Sequence, residues 1–285
     1  MTTAFALDLD GLRVAGLRAG TRGGLPVLAL HGWLDNAASF LPLAGQLPEL
    51  DWALLDLPGH GLSEHLPADA AYNTPQAIVQ TLAIMDALGW EHCVLLGHSM
   101  GAGIASLVAA VAPQRVRALV CIEALGGLAA PAAETVTRLR AYLAALATQG
   151  DKQLRVFANL AAPVRARMQA NQLSEASARL LVERGVRPVA GGWSWCSDPR
   201  LMLPTAVRMT EQQAGDVVAA IECPTQVIYA TPAQAYFPEP VRSQRAALLR
   251  CGHLHTLPGH HHLHMDQPEA VAAVVRRFLL SECPA

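Results

Sequence analysis

The chain has 285 residues, of which 52% are apolar and 15% are charged. This composition supports a large buried core and excludes an intrinsically disordered protein. The 21 Lys and Arg residues are balanced by 23 Asp and Glu residues, and both signs are scattered along the chain. We expect no nucleic-acid partner, because the chain lacks the basic patch that binds phosphates.

The beginning of the chain and its cysteines indicate a compartment. The stretch MTTAFALDLDGLRVAG has acidic residues early and no basic region followed by an apolar core, so it does not resemble a signal peptide. Residues 93–114 carry no charge, but their Gly, Ser and His content favours a buried strand, turn and helix over a membrane span. Six widely spaced cysteines without a C-x-x-C pair predict reduced thiols and a cytoplasmic location.

Short apolar runs alternate with helical patterns along the chain. Such runs are typical of parallel strands covered on both faces, and they lie at 26–30, 52–56, 93–97, 116–122 and 225–229. One helix begins near Pro75 and ends at Gly89, and the last helix begins at Pro268. The alternation predicts an α/β fold with a doubly wound, mostly parallel sheet.

The alternation is interrupted between residues 125 and 221. This segment has only helical patterns and a Trp-containing loop, GGWSWCSDPR, before the strand pattern resumes at 225. We therefore predict a core formed by residues 1–124 and 222–285, with a helical lid insertion at residues 125–221.

The sequence GHSMG places Ser99 between two glycines, after an apolar strand and before a helix of small residues. A sharp turn at such a junction requires small neighbours, and this context predicts Ser99 as a nucleophile. The alternative is a glycine-rich turn without chemistry. The backbone N–H groups of Met100 and of Trp33, in the earlier loop LALHGWLDN, are candidates for an oxyanion hole.

A serine nucleophile needs a base, and the stretch LPGHHHLHMDQPEA offers several late in the chain. The candidates are His260, His261, His262 and His264. A metal cluster is a rival interpretation, but adjacent histidines seldom point to one centre and no pattern such as H-E-x-x-H accompanies them. We expect neither a metal nor an organic cofactor.

Four stretches carry a family resemblance: HGWLDNAASF, DLPGHGLSEH, GHSMGAG and PGHHHLHMDQPEAVAAVVRRFL. With them the chain resembles the α/β-hydrolase fold superfamily over nearly its full length, and the first and last stretches are most similar to the serine hydrolase-like branch. The resemblance implies that the second residue after Gly259, which is His261, is the catalytic base. Its Nε2 atom is then expected within about 3.2 Å of the Ser99 Oγ atom.

The position of the catalytic acid along the chain departs from the commonest pattern of the family. The resemblance implies an acid just after the strand that follows the insertion, but residues 225–238 contain no Asp or Glu. Glu123 follows the strand at 116–122, where α/β sheets place functional groups, and some family branches carry the acid there. The rival carboxylates are Asp198, Asp266 and Glu239. A glutamate that only caps the insertion, with a Ser–His dyad as the site, is the remaining alternative.

These residues predict a serine hydrolase, a carboxylesterase that cleaves a small-molecule ester or thioester by two-step acyl transfer through Ser99, His261 and Glu123. A serine nucleophile disfavours the dehalogenase and epoxide hydrolase chemistries of related branches. One alternative is a cofactor-free perhydrolase or haloperoxidase, or a C–C hydrolase, on the same triad. Another is a non-catalytic binding module that keeps only the fold. The sequence indicates neither the acyl chain nor the oligomeric state.

Overall fold

The structure, a computed structural model, describes residues 2–149 and 154–283. The strands are β1 (Thr3–Leu9), β2 (Leu12–Gly20), β3 (Pro26–Leu30), β4 (Asp51–Leu55), β5 (Cys93–His98), β6 (Val116–Ile122), β7 (Val186–Val189), β8 (Gly192–Trp195), β9 (Thr225–Thr231) and β10 (Gly252–Pro258). The helices are α1 (Leu41–Gln46), α2 (Thr74–Ala87), α3 (Met100–Val111), α4 (Thr135–Ala147), α5 (Ala161–Asn171), α6 (Glu175–Gly185), α7 (Glu211–Ala219), α8 (Val241–Ala246), α9 (Leu263–Asp266) and α10 (Pro268–Glu282).

Eight of these strands form one sheet in the order β1-β2-β4-β3-β5-β6-β9-β10. The six strands from β4 to β10 in that order pair in parallel, and β2 pairs antiparallel to both β1 and β4. The predicted doubly wound, mostly parallel sheet is confirmed, and each predicted apolar run overlaps a strand. The antiparallel β1–β2 hairpin extends one edge of the sheet and was not predicted.

Side chains alternate between the two faces of the sheet along each strand, and helices cover both faces. On β5, Val94 and Leu96 join a core cluster with α1 and α10, whereas Cys93 and Leu95 join a second cluster with α2 and α3. Central strands therefore have to be apolar over most of their length, and β5 is buried from end to end. This packing fixes the carboxyl ends of the central strands, where the candidate catalytic residues follow.

Residues 125–221, called the insertion below, add no strand to the large sheet within their described part. They form α4 to α7 and a separate antiparallel hairpin of β7 and β8. The predicted Trp-containing loop thus includes β8, a strand of four residues that is too short to produce a recognisable alternation. Aromatic residues such as Trp193 and Trp195 favour this extended conformation. A small apolar cluster of α5, α6 and β7 also contacts Met265 of the core.

Two buried carboxylates of the core bind arginines of the insertion. Asp35 pairs with Arg167 on α5, and Asp56 Oδ2 lies 2.8 Å from Nη2 of Arg184 on α6. Since a buried charge needs a partner, these pairs fix the insertion above the carboxyl ends of the strands. Among the described residues, no helix is both long and apolar enough to cross a membrane.

Candidate active site

Ser99 occupies a strained turn between β5 and α3. Its backbone has φ 51° and ψ −116°, outside the usual regions for a residue with a side chain. A Cβ atom at Gly97 would lie 2.4 Å from the backbone of Ala102, and one at Gly101 would lie 1.9 Å from the Leu30 carbonyl oxygen. The two glycines of GHSMG are therefore required sterically, as expected for a turn that presents the serine hydroxyl.

The two predicted oxyanion donors come from the start of α3 and from the loop after β3. Met100 is the first residue of α3, and Trp33 lies in the loop that follows β3. Within the described part of the chain, no hydrogen bond is found for the backbone N–H of either residue. The Trp33 indole is half-exposed and donates to the Leu201 carbonyl oxygen of the insertion at 2.9 Å. Both N–H groups are thus free to bind a ligand.

His261 and Glu123 meet at the carboxyl ends of β10 and β6. Nδ1 of His261 lies 3.1 Å from Oε2 of Glu123. The carboxylate is buried, with 1% of the side chain exposed, and the imidazole is 18% exposed. Because β9 alone separates β6 from β10 in the sheet, residues 138 positions apart become neighbours. The contact is the one expected of a base and the acid that orients it.

The other oxygen of the Glu123 carboxylate also accepts hydrogen bonds. Oε1 accepts hydrogen bonds from the Ala230 N–H at 2.5 Å and from Nη2 of Arg242 at 2.8 Å. Nη1 of Arg242 donates in turn to the Ala230 carbonyl oxygen at 2.9 Å. These contacts hold the carboxylate with Oε2 turned towards His261. Arg242, on α8, was not singled out by the sequence analysis.

The rival carboxylates are occupied elsewhere. Asp198 contacts Arg200 and Tyr72, Asp266 accepts from Ser174 and Ser177, and Glu239 accepts from Ser243. Among the described residues, the only carboxylate found in contact with the His261 ring is Glu123.

Tyr236, in the loop between β9 and α8, is a further side chain at the site. Its hydroxyl lies 3.1 Å from Nδ1 and 3.2 Å from Nε2 of His261. Desolvation and the nearby Glu123 charge raise the pKa of Tyr236 to about 12, so the hydroxyl keeps its proton. Among the described residues, no direct hydrogen bond joins Ser99 Oγ to the His261 ring, whereas the phenol hydroxyl contacts that ring. The expected direct contact is therefore not formed in this structure.

A buried network lies beside Ser99 and His261. Asp35 Oδ2 lies 3.1 Å from Nε2 of His262 and 3.7 Å from Nδ1 of His98. Burial would raise the pKa of Asp35, but His262, His98 and Arg167 outweigh it and hold the pKa well below its usual range. Burial lowers the pKa of His98 to about 3, so its ring is neutral. Its Nε2 contacts the His261 carbonyl oxygen at 2.9 Å, which links the network to the loop of the base.

The same network contains the residues that could hold a metal ion. Asp35, His98 and His262 each offer one ligand atom, and these atoms lie within 4.8 Å of one another. The sequence analysis expected adjacent histidines to diverge, and it did not foresee that His262 would meet His98 from a distant part of the chain. Arg167 already supplies positive charge to the Asp35 carboxylate. Nδ1 of His98 and Nδ1 of His262 are buried without a hydrogen-bond partner among the described residues.

Similarity to known proteins agrees with this architecture. The α/β-hydrolase fold family model matches residues 26–230. A serine hydrolase-like protein of Danio rerio is 30% identical over 93% of this chain and 84% of its own length, and one of Dictyostelium discoideum is 31% identical over 90% and 75%.

Two solved structures extend the similarity. A hypothetical protein of Pseudomonas aeruginosa PAO1 is 36% identical, with a TM-score of 0.90 over 96% of this chain and 97% of that one. The thioesterase domain of the curacin biosynthetic pathway is 25% identical, with a TM-score of 0.84 over 97% and 99%. These similarities support a hydrolase. The chain belongs to the α/β-hydrolase fold family and, within it, to the serine hydrolase-like branch.

Proposed function

We propose that this protein cleaves a small-molecule carboxylic ester or thioester by two-step acyl transfer through Ser99, His261 and Glu123. In the first step, Oγ of Ser99 attacks the carbonyl carbon while Nε2 of His261 accepts the hydroxyl proton. The carbonyl oxygen becomes an oxyanion that the N–H groups of Trp33 and Met100 hold. Collapse of this intermediate breaks the bond to the alcohol or thiol, which leaves with the proton from His261.

In the second step, water attacks the acyl-serine and gives its proton to His261. The second oxyanion collapses, Ser99 takes the proton back, and the carboxylic acid leaves. Throughout, Glu123 accepts the Nδ1 hydrogen bond, which leaves Nε2 free for proton transfer and stabilises the imidazolium that forms. No step requires a group from outside the chain except substrate and water.

The observation that carries the proposal is the contact between His261 and Glu123 beside a strained Ser99. The carboxylate is buried, and its other oxygen is held by Arg242 and the Ala230 N–H, so its direction towards the imidazole is fixed. An imidazole oriented by a buried carboxylate next to a serine on a sharp turn is the arrangement that activates a hydroxyl. A fold kept only for binding would not need this set of contacts.

Similarity to a thioesterase domain supports including thioesters among the substrates. Oxyesters and thioesters share the acyl-serine intermediate, and they differ only in the group that leaves in the first step. The Tyr236 hydroxyl lies 3.2 Å from Nε2 of His261, and the leaving group or the attacking water must lie next to the same atom. We propose that the phenol holds this place in the resting site and withdraws when substrate binds.

A fluorophosphonate probe tests the nucleophile. The full-length protein should be labelled at Ser99, as shown by mass spectrometry of the modified peptide. Ser99→Ala should abolish labelling and the hydrolysis of p-nitrophenyl and acyl-thioester substrates. Ser281→Ala, which changes an exposed serine of α10, is the matched control and should keep both. Labelling that persists in Ser99→Ala would exclude this assignment.

A further inference from the structure

One buried cluster lies where three loops of the proposed site meet. The loops are the nucleophile turn at Ser99, the base loop after β10 that carries His261, and the oxyanion loop after β3 that carries Trp33. The cluster has one member beside each of these residues, and none is more than 3% exposed: His98, His262 and Asp35. Each member lies within two positions of the functional residue of its loop. Contacts inside the cluster therefore set how the three loops lie relative to one another.

The nucleophile turn and the base loop are joined through His98. Its Nε2 lies 2.9 Å from the His261 carbonyl oxygen. Because a carbonyl oxygen only accepts hydrogen bonds, Nε2 carries the proton and donates the bond. Burial lowers the pKa of His98 to about 3, so the ring is neutral and this is its only N–H. The residue directly before the nucleophile thus holds the backbone of the base.

The oxyanion loop and the base loop are joined through Asp35. Since an ionised carboxylate only accepts, Oδ2 accepts a hydrogen bond from Nε2 of His262 at 3.1 Å. The backbone N–H of Asp35 donates to the Gly32 carbonyl oxygen at 3.1 Å, which closes the turn that contains Trp33. A Cβ atom at Gly32 would lie 2.9 Å from Nδ1 of His98 and 3.0 Å from Oδ2 of Asp35. The oxyanion loop therefore packs directly against the cluster and moves with it.

The insertion reaches the cluster through Arg167 on α5. The guanidinium of Arg167 binds Oδ1 of Asp35, while Oδ2 of the same carboxylate faces His262. The Asp35 side chain is only 2% exposed, and a buried carboxylate needs a charged partner of this kind. The direction in which the carboxylate points therefore depends on the insertion being seated over the core.

We propose that Asp35 is a positioning residue for acyl transfer. Its carboxylate holds the oxyanion loop and the base loop at the separation that the reaction needs, and Arg167 of the insertion keeps it in place. Among the described residues, no hydrogen bond joins the Asp35 side chain to Ser99 or to the His261 ring, so it acts through its neighbours. The inference rests on the proposed function, because it assigns Asp35 a part in the same reaction.

Steady-state kinetics of Asp35→Asn on a p-nitrophenyl ester tests the proposal. The amide keeps the size of the carboxylate and still accepts a bond from His262, but it loses the charge that binds Arg167. We expect kcat to fall about 10- to 100-fold and KM to change less than about threefold, because a displaced donor or base weakens the transition state more than substrate binding. Arg167→Met should lower kcat about threefold or more, because the carboxylate then loses the partner that fixes its direction.

Two variants of His98 separate positioning from packing. Leu fills a similar space but has no donor, so His98→Leu should lower kcat at least about tenfold. The amide of Gln has an N–H that can donate to the His261 carbonyl oxygen, so His98→Gln should recover most of the kcat that His98→Leu loses. Equal losses of kcat in the two variants would contradict a role that depends on this hydrogen bond.

Asp51→Asn is the matched control. Asp51 is also a buried carboxylate, and its Oδ1 lies 2.7 Å from Nη2 of Arg18, but it begins β4 at the end of the sheet opposite to the site. Urea unfolding should show a loss of stability in both Asp35→Asn and Asp51→Asn, whereas kcat should fall only in Asp35→Asn. A similar fall of kcat in Asp51→Asn would make the effect one of stability and overturn the proposal.

The remaining outcomes separate this inference from the proposed function. A wild type that hydrolyses neither esters nor thioesters would overturn both. An active wild type with the same kcat in Asp35→Asn would overturn the positioning role alone, and an unchanged kcat in Arg167→Met would overturn the dependence on the insertion. Elemental analysis covers a metal ion as the occupant of the cluster. One equivalent of a divalent metal in the wild type, lost in Asp35→Asn, would make these side chains metal ligands and overturn the positioning role.

Discussion

Glu123 Oε2 lies 3.1 Å from Nδ1 of His261, although 138 residues separate the two positions. The commonest family pattern has its acid after the strand that follows the insertion, but β9 and the loop after it supply no carboxylate before Glu239. The carboxylate reaches the imidazole from β6 instead, while the backbone of Ala230 on β9 and Arg242 on α8 hold its second oxygen. In this chain, the region that follows β9 therefore supplies no catalytic acid. Together with β9 it supplies groups that bind the Glu123 carboxylate instead.

Glu123→Gln should lower ester turnover by about 10²–10⁴-fold. The amide keeps the shape of the carboxylate, but it neither fixes the correct imidazole tautomer as well nor stabilises the imidazolium. The measurement is kcat/KM on a p-nitrophenyl ester, with circular dichroism to verify the fold. Glu239→Gln is the matched control, because Glu239 contacts Ser243 and not the base. Equal activity of Glu123→Gln and the wild type would leave a Ser–His dyad as the alternative.

The parts of the molecule that sequence could predict have strong local signals. Parallel strands such as β5 are apolar over most of their length, and the turn at Ser99 accepts only glycine at positions 97 and 101. Such features depend on a few neighbouring residues, so the pattern in one stretch of sequence is enough to predict them. The position of Glu123 was also predictable, because it follows directly from the end of a strand.

The parts that sequence could not predict depend on tertiary contacts. Arg242 reaches Glu123 from α8, and no local pattern distinguishes it from an ordinary surface arginine. Tyr236 lies in a loop whose course is set by packing after β9, so its contact with His261 leaves no periodic trace. The one available signal was compositional: an aromatic residue in the segment where the family's acid is missing.

Tyr236→Phe should raise kcat/KM for ester hydrolysis by about two- to tenfold. If the phenol occupies the place of the leaving group in the resting site, removing its hydroxyl removes a ground-state hydrogen bond with a net value of about 0.5–1.5 kcal/mol. Tyr229→Phe is the control, because the buried Tyr229 hydroxyl has no hydrogen-bond partner in the described structure. A fall of tenfold or more in Tyr236→Phe would instead assign the hydroxyl a part in catalysis.

Arg242→Met should lower the free energy of unfolding by about 3–5 kcal/mol. Both partners of the Arg242–Glu123 pair are at least 97% buried, so removing the guanidinium leaves a carboxylate in the interior with one charged partner fewer. Urea unfolding followed by tryptophan fluorescence measures the change. Arg179→Met breaks an exposed pair with Glu175 on α6 and should cost less than about 1 kcal/mol. Similar losses of unfolding free energy in the two variants would mean that the buried pair stabilises the fold no more than the exposed pair does.

Buried histidines should make the protein less stable in mild acid. Burial is the main cause that lowers the pKa of His60 to about 3 and that of His31 to about 4, while both are near 6.5 in an unfolded chain. Between about pH 4 and 6.5 the unfolded state therefore binds more protons, and the free energy of unfolding falls as the pH falls. Asp35 adds to this trend only below its unfolded pKa of about 4, where its lowered pKa also makes the unfolded chain bind more protons than the folded protein.

His60→Gln tests one of these histidines, whose Nδ1 contacts the Pro58 carbonyl oxygen at 3.1 Å. The variant lacks one group that must take up a proton on unfolding. The slope of unfolding free energy against pH should therefore decrease by about 1.4 kcal/mol per pH unit over the window from about pH 4.5 to 6. Urea unfolding at several pH values in this window gives the slope. An unchanged slope in His60→Gln would mean that His60 takes up its proton in the folded protein as readily as in the unfolded chain.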